Sequence, residues 1–132
     1  MNELLPGGTT IRSGPCILIV EDEFLVAEML EQMLDDLGYN SVKVGRLPEA
    51  IDLAATTALD GAILDLNLAG AEVYPVADEL HRRGIPFVFS TGSGPEGVRG
   101  DYRGWPTLSK PYREDDLQRI LAAALPPRAV KG

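Results

Sequence analysis

The chain of 132 residues is long enough for one domain, and its composition of 45% hydrophobic and 24% charged residues is typical of a globular protein. Its 20 acidic and 12 basic residues give a net charge of −8. This excess argues against nucleic acid and membrane as direct partners, because both attract basic surfaces. No apolar run approaches the roughly 20 residues of a membrane-spanning helix, and the first residues lack the basic and apolar regions of a signal peptide. We therefore expect a cytoplasmic protein.

Apolar runs typical of strands alternate along the chain with stretches of helical period. Residues 1–14 show neither pattern and are predicted to be a flexible N-terminal extension. After them, continuous apolar runs predict buried strands, and apolar positions spaced i, i+3, i+4 and i+7 predict helices. The predicted strands are the apolar runs 16–20, 62–66 and 85–89 together with two less apolar stretches, 41–44 and 105–109. The predicted helices are 26–37, 48–58, 72–83 and 114–125.

Residues 92–104 break this alternation, because they hold five glycines and a proline with almost no apolar spacing. The alternation predicts a helix here. Each glycine costs a helix about 1 kcal/mol relative to alanine. We therefore expect this fourth helix to be short or disordered.

The strand–helix alternation predicts a doubly wound α/β fold with a five-stranded parallel sheet. We expect the domain to span residues 15–126, and residues 127–132 to form a short C-terminal tail. Right-handed connections place the carboxyl ends of parallel strands along one edge of the sheet, where ligands bind. The residues that follow the strands are therefore the candidates for a functional site.

Carboxylates, hydroxyls and a lysine follow the predicted strands. In chain order they are Glu21, Asp22, Glu23, Asp65, Ser90, Thr91 and Lys110. Clustered carboxylates repel one another unless a cation neutralises them, and oxygen ligands without histidine or cysteine favour Mg²⁺ over zinc. A lysine beside a hydroxyl suits the oxygens of a phosphoryl group. The pattern predicts a metal-assisted phosphoryl site with a carboxylate acceptor.

Four sequence runs at these strand ends resemble the signature segments of response regulator receiver domains. In chain order they are ILIVEDE, AILDLNL, FVFSTG and LSKPY, within residues 16–125. The run PFVFSTG, the glycine-rich segment after it and LSKPY are similar to the single-domain "FAT GUY" receivers, although Ser90 stands where alanine is typical of that type. The resemblance implies the flavodoxin-like receiver fold and a stand-alone response regulator of two-component phosphorelay signalling.

The resemblance also implies a phosphoacceptor and a metal site. Asp65 would accept the phosphoryl group from a histidine kinase or a phosphotransfer protein. Together with Asp65, Asp22 would bind Mg²⁺ directly and Glu21 would bind it through water. Asn67 would offer its backbone carbonyl to the metal.

Three further residues would act on the phosphoryl group. Thr91 would bind a phosphoryl oxygen through its hydroxyl, and Lys110 would pair with the acceptor carboxylate before phosphorylation and with the phosphoryl group after it. Pro111 would fix the turn that aims Lys110, by a cis peptide bond.

The chain departs from the family at the position three residues before the lysine, where receivers usually carry an aromatic rotamer switch. This position is Thr107, with Trp105 nearby. A threonine at this position puts the common aromatic switch in doubt. Trp105 either packs against the edge of the core or takes part in switching, and the sequence leaves both roles open. We expect the signal to leave through residues 92–104 instead, by a change from disorder to order.

The resemblance implies output by contact with an unknown downstream protein, or use as a phosphate sink, and no enzymatic activity beyond the receiver's own phosphorylation and dephosphorylation. One alternative is a degenerate receiver that binds its partner without phosphorylation. Another is a small Mg²⁺-dependent aspartyl phosphohydrolase. That enzyme would need a second aspartate as general acid two residues after the nucleophile, where this chain has Asn67.

Overall fold

The structure is a computed structural model that describes residues 2–4, 10–12, 14–92 and 97–125. Its strands are β1 (Asn2–Leu4), β2 (Thr10–Arg12), β3 (Cys16–Val20), β4 (Asn40–Val44), β5 (Gly61–Asp65), β6 (Asn67–Leu68), β7 (Ala71–Glu72), β8 (Phe87–Thr91) and β9 (Thr107–Ser109). Its α-helices are α1 (Phe24–Asp36), α2 (Leu47–Thr56), α3 (Tyr74–Arg82) and α4 (Glu114–Ala124). No helix in the described part of the chain combines the length and the apolar character that crossing a membrane requires.

Five strands form the central sheet in the order β4-β3-β5-β8-β9, and every neighbouring pair is parallel. This confirms the predicted doubly wound α/β fold. The chain runs from β3 outward to β4 and then returns to the other side of β3 to form β5. This reversal of direction leaves a crevice at the carboxyl ends of β3 and β5, which is where open α/β sheets bind ligands.

The sheet separates two layers of the hydrophobic core because successive residues of a strand point to opposite faces. In β3, Leu18 and Val20 pack on the face covered by α2 and α3, which we call the α2–α3 face. Ile17 and Ile19 pack with residues of α1 and α4 on the opposite side, the α1–α4 face. A strand buried on both sides has to be continuously apolar, which explains the unbroken apolar run of β3.

The helices begin and end near the residues that predict their ends in the sequence. The apolar stripe of α1 buries Ala27, Leu30 and Leu34 against the sheet, and Gly38 follows the helix with a φ of +93° that favours glycine. A proline occupies the first turn of both α2 and α3, where the missing N–H costs no helical hydrogen bond. The three acids in the first turn of α4 complement the helix dipole.

The described residues 97–104 of the predicted fourth helix hold no α-helix, in agreement with the short or disordered helix that the sequence predicts. A 3₁₀ turn lies among them at Gly100–Tyr102. Val98 and Tyr102 nevertheless lie buried in the α2–α3 core layer. Two apolar residues four positions apart are too few for a periodicity, so the sequence analysis missed this contribution to the core.

The flexible N-terminal extension at residues 1–14 stays a prediction, and the structure describes two short strands within it. Within residues 1–14, β1 and β2 pair as an antiparallel ladder that is separate from the central sheet. Strands of three residues are too short for alternation to be recognised in a sequence. The predicted domain boundaries at residues 14 and 126 stay predictions, and the tail at 127–132 lies outside the described residues.

Candidate functional site

The structure brings the predicted site residues to one edge of the sheet. Glu21 and Asp22 directly follow β3, and Asp65 is the last residue of β5. Thr91 ends β8, and Lys110 directly follows β9. Because the five strands are parallel and in register, their carboxyl ends meet at the crevice between β3 and β5.

Three carboxylates form the acidic part of the site. Glu21, Asp22 and Asp65 each place a carboxylate oxygen within 4.8 Å of the others. Glu21 is 3% exposed and Asp65 7% exposed, whereas Asp22 is open to solvent. Three carboxylates this close repel one another, and their oxygens form a donor set that suits a hard divalent cation.

Lys110 supplies positive charge to this acidic cluster. Its Nζ lies 3.2 Å from Glu21 Oε1 and 3.5 Å from Asp65 Oδ2. A third carboxylate oxygen, Oε1 of Glu23, lies 3.9 Å away; the sequence placed Glu23 among the acids but gave it no role. The backbone N–H of Lys110 donates to the carbonyl of Thr91 at 2.8 Å, and the Lys110–Pro111 peptide bond is cis.

Burial and charge shift the pKa values of this cluster. Loss of solvent raises the pKa of Glu21 to about 7, and the negative charge of Asp65 adds to the rise. Burial also raises the pKa of Asp65, and the attraction of Lys110 partly opposes that rise. Burial alone would lower the pKa of Lys110, but its attraction to Asp65 and Glu21 outweighs burial and leaves that pKa raised. Lys110 therefore stays charged between two carboxyl groups that are costly to ionise.

The loop after Asp65 presents backbone groups to the site. The N–H of Asn67 donates to Asp65 Oδ1 at 3.4 Å, while Asn67 Oδ1 accepts a hydrogen bond from the N–H of Gly70 at 2.8 Å. This second bond closes the turn between β6 and β7, in which Ala69 and Gly70 both have positive φ. The Asn67 side chain is thus held by the turn, which leaves its backbone beside the Asp65 carboxylate.

Thr91 and Tyr74 line the same cleft as Asp65 and Lys110. The Tyr74 hydroxyl accepts a hydrogen bond from the N–H of Arg99 at 2.7 Å and lies 3.5 Å from the carbonyl of Gly97. Tyr74 thereby connects the start of α3 to the glycine-rich segment. Sequence reasoning missed it, because a tyrosine in the first turn of a helix belongs to no motif.

Tyr102, from the glycine-rich segment, supplies aromatic packing beside β9. Its ring packs edge-on against Phe87 and Phe89, with centroids 5.7 and 5.6 Å apart. Trp105 stacks on Phe87 and donates from its indole N–H to the Phe87 carbonyl at 3.1 Å. Thr107 donates its hydroxyl to the Trp105 carbonyl at 3.0 Å. Trp105 therefore has a packing role in this structure.

The fold and the site together define a doubly wound α/β domain with an acidic, lysine-containing cleft at the carboxyl ends of its strands. The family model described as the response regulator receiver domain matches residues 17–122. The chain belongs to this family, the receiver domains of two-component signalling. Receiver domains are signalling proteins.

Two curated relatives are regulators of greater length. The phyllosphere-induced regulator PhyR of Methylorubrum extorquens is 32% identical over 115 residues, which are 83% of this chain and 43% of PhyR. The cell cycle response regulator CtrA of Brucella ovis is 28% identical over 106 residues, which are 76% of this chain and 46% of CtrA. The chain thus spans less than half the length of each of these relatives.

Two solved structures share the fold over nearly their whole length. SdrG from Sphingomonas melonis is 41% identical with a TM-score of 0.76, over 86% of this chain and 98% of the solved chain. The receiver domain of the sensor histidine kinase PA1611 from Pseudomonas aeruginosa is 28% identical with a TM-score of 0.72, over 84% of this chain and 97% of that domain. The latter structure contains a magnesium ion coordinated in its active site cleft.

Proposed function

We propose that this chain is a phosphorylation-controlled response regulator that accepts a phosphoryl group on Asp65 with the help of Mg²⁺. The observation that carries the proposal is the position of Lys110 Nζ, 3.5 Å from Asp65 and 3.2 Å from Glu21. A fixed cation beside an acceptor carboxylate stabilises the negative charge that a phosphoryl group brings. Thr91 lines the same cleft and supplies a hydroxyl for the phosphoryl oxygens.

In the proposed reaction, a carboxylate oxygen of Asp65 attacks the phosphorus of a phosphohistidine. The new O–P bond forms as the N–P bond to histidine breaks, and the histidine keeps the electron pair of that bond. The histidine belongs to a kinase or to a phosphotransfer protein. Lys110 then pairs with the phosphoryl oxygens, and the acylphosphate remains on Asp65 until hydrolysis.

The acidic cluster fits the Mg²⁺ that this reaction needs. Asp22 and Asp65 would bind the ion directly, Glu21 would bind it through water, and Asn67 would offer its backbone carbonyl. The fit rests on the three carboxylates within 4.8 Å of one another and on the absence of histidine and cysteine from this cluster among the described residues. When bound, the ion neutralises charge on the phosphoryl oxygens during transfer.

The proposed output is contact with another protein, or withdrawal of phosphoryl groups from a kinase. The match to 98% of the solved SdrG chain supports a stand-alone, receiver-sized regulator, in contrast to the longer PhyR and CtrA. The net charge of −8 supports a protein partner over nucleic acid or an anionic membrane. A location in the cytoplasm belongs to the same proposal.

Intact mass after incubation with a small phosphodonor and Mg²⁺ tests the assignment of Asp65. We expect the wild-type protein to gain one phosphoryl group and Asp65→Asn to gain none, since an amide is a poor nucleophile. Asp52→Asn, which changes an exposed aspartate on α2, is the matched control and should behave as the wild type.

Two results would contradict the proposal. Labelling of Asp65→Asn to the wild-type level would place the acceptor elsewhere. A folded wild-type protein that binds Mg²⁺ but takes no label from the phosphodonor would favour a receiver that acts without phosphorylation.

A further inference from the structure

Two buried hydroxyls next to the acidic cluster, those of Ser90 and Tyr112, make no hydrogen bond of normal geometry to the residues that the structure describes. Beside them, Glu21 Oε1 faces the Lys110 ammonium group as an ion pair. Ser90 is 1% exposed and Tyr112 5% exposed. Buried polar side chains are nearly always hydrogen-bonded, so two such hydroxyls at one edge of one sheet point to a shared role.

The two hydroxyl residues lie on the same face of the sheet. Ser90 comes two positions after Val88 in β8, and Val88 packs in the core layer of the α1–α4 face. Because side chains in a strand alternate with a period of two, Ser90 points to that face as well. Tyr112 is itself a member of that core layer.

The two buried carboxylates lie on this face too. Glu21 comes two positions after Ile19, and Asp65 two positions after Ile63; both isoleucines pack on the α1–α4 face. Asp65 is also the direct neighbour of Ser90 in the pairing of β5 with β8. The hydroxyls of Ser90 and Tyr112 therefore lie behind the carboxylates of the cleft, on the core side of the site.

The electrostatics agree with this proximity. Burial raises the pKa of Tyr112, the Ser90 hydroxyl opposes the rise, and the charges of Glu21 and Asp65 add to it. Tyr112 thus keeps its proton at neutral pH. A protonated hydroxyl can donate to an ionised carboxylate, which can only accept.

We propose that Ser90 and Tyr112 are positioning residues that hold the Glu21 carboxylate by hydrogen bonding once Lys110 has turned to a phosphoryl group on Asp65. The inference rests on the proposed function, in which Lys110 makes that turn. In the unmodified protein Lys110 Nζ lies 3.2 Å from Glu21 Oε1. When the ammonium group leaves, a buried carboxylate oxygen without a partner is unfavourable, and the two hydroxyls on the same face of the sheet can turn to donate to it.

The test compares the binding of Mg²⁺ alone with the binding of beryllofluoride in the presence of Mg²⁺, since beryllofluoride mimics a phosphoryl group on an aspartate. Ser90→Ala, Tyr112→Phe and the double variant are compared with the wild type by calorimetry. Tyr39→Phe is the matched control, because Tyr39 packs in the same core layer but precedes β4, at the opposite edge of the sheet.

We expect each single variant to bind Mg²⁺ alone like the wild type and to bind beryllofluoride about three- to tenfold more weakly, the effect of one lost hydrogen bond. The double variant should lose no more affinity for beryllofluoride than a single variant does, because the two hydroxyls act as a unit. Tyr39→Phe should leave both affinities unchanged.

If the variants bound Mg²⁺ and beryllofluoride equally more weakly, the two hydroxyls would have a merely structural role and the inference would be overturned. Unchanged binding of beryllofluoride in both single variants would overturn it as well. Additive losses in the double variant would overturn the pairing of the two hydroxyls. A wild-type protein that binds Mg²⁺ but no beryllofluoride would overturn the proposed function itself, and this inference with it.

Discussion

Glu21, Asp65 and Lys110 depend on one another for their charge states. The two carboxyl groups are buried, which disfavours their ionised forms, and the ammonium group between them partly offsets this cost. Removing Lys110 would leave two buried carboxylates with no cation between them, and the phosphoryl group would lose its fixed counter-charge. The same contacts that support the acidic cluster are therefore those that phosphoryl transfer would use.

The raised pKa of Glu21 predicts how stability depends on pH. Burial raises that pKa from 4.5 to about 7 in the folded protein, so between these values the folded protein holds a proton that the unfolded chain has released. Linkage then requires the contribution of Glu21 to stability to be fully present below pH 4.5 and to be lost as pH rises through about 7. Urea denaturation at a series of pH values, with a chelator present, measures this loss.

Glu21→Gln isolates the effect, because the glutamine does not titrate while all other groups remain. We expect the stability of this variant to fall less steeply over the same pH range than that of the wild type. Identical slopes for the two proteins would show that the Glu21 carboxyl group is not perturbed in the folded state.

The sequence predicted the acidic residues of the site because each lies at the end of a strand whose apolar run is easy to recognise. It predicted Lys110 from its place after the strand 105–109 and within the run LSKPY. It could not predict that Tyr74 would reach Gly97 and Arg99, more than twenty residues away, since this contact depends on how α3 packs. The orientation of the Asn67 side chain into a tight turn was also beyond the sequence, because the turn is set by the positive φ values of Ala69 and Gly70.

The segment from Gly97 to Gly104 contributes buried side chains and long-range contacts that its glycine-rich composition does not suggest. A 3₁₀ turn at Gly100–Tyr102 stands in this segment in place of an α-helix, yet Tyr102 is buried and its hydroxyl donates to Asp78 Oδ1 at 2.7 Å. Arg99 stacks over the Tyr74 ring, with its guanidinium carbon 4.4 Å from the ring centroid. The glycine content correctly predicts a short helix, and a few long-range side-chain contacts then position the segment.

Truncation of Tyr102 tests this anchoring. We expect Tyr102→Ala to lower the free energy of unfolding by about 3–5 kcal/mol, the usual cost of removing a buried aromatic ring. Tyr102→Phe keeps the ring and loses only the bond to Asp78, so it should cost about 1 kcal/mol. Urea denaturation followed by the fluorescence of Trp105, whose ring centroid lies 5.2 Å from that of Tyr102, reports both values.

Arg103→Ala, at an exposed neighbouring position, is the control and should leave stability unchanged. Equal costs for Tyr102→Ala and Tyr102→Phe would mean that the ring contributes nothing to the core. That result would contradict the packing of Tyr102 against Phe87 and Phe89.

At the scale of the whole molecule, the parallel sheet explains why so much of the architecture is predictable. A strand with helices on both faces is apolar throughout, and its carboxyl end is the first place where polar residues can stand. The same pattern therefore reveals the strands and the candidate site together. The short β1–β2 ladder is outside this pattern, since it pairs only with itself, and the sequence did not reveal it.

The net charge of the molecule adds to the local repulsion within the acidic cluster, and Mg²⁺ should relieve both. Any salt screens the net charge of −8, whereas only a divalent ion held by Glu21, Asp22 and Asp65 neutralises the cluster itself. We expect Mg²⁺ to raise the melting temperature more than NaCl of equal ionic strength. The gain corresponds to about 2.7 kcal/mol at a concentration 100 times the dissociation constant.

Asp22→Ala should lose this specific gain and keep the effect of NaCl, because Asp22 is exposed and its truncation does not disturb the core. Asp52→Ala, which removes the same charge from the exposed face of α2, should keep both effects. Thermal denaturation of the three proteins in the two salts separates the contributions. If NaCl stabilised the wild type as much as Mg²⁺ did, or if Asp22→Ala kept the extra gain, the three carboxylates would not be the metal site.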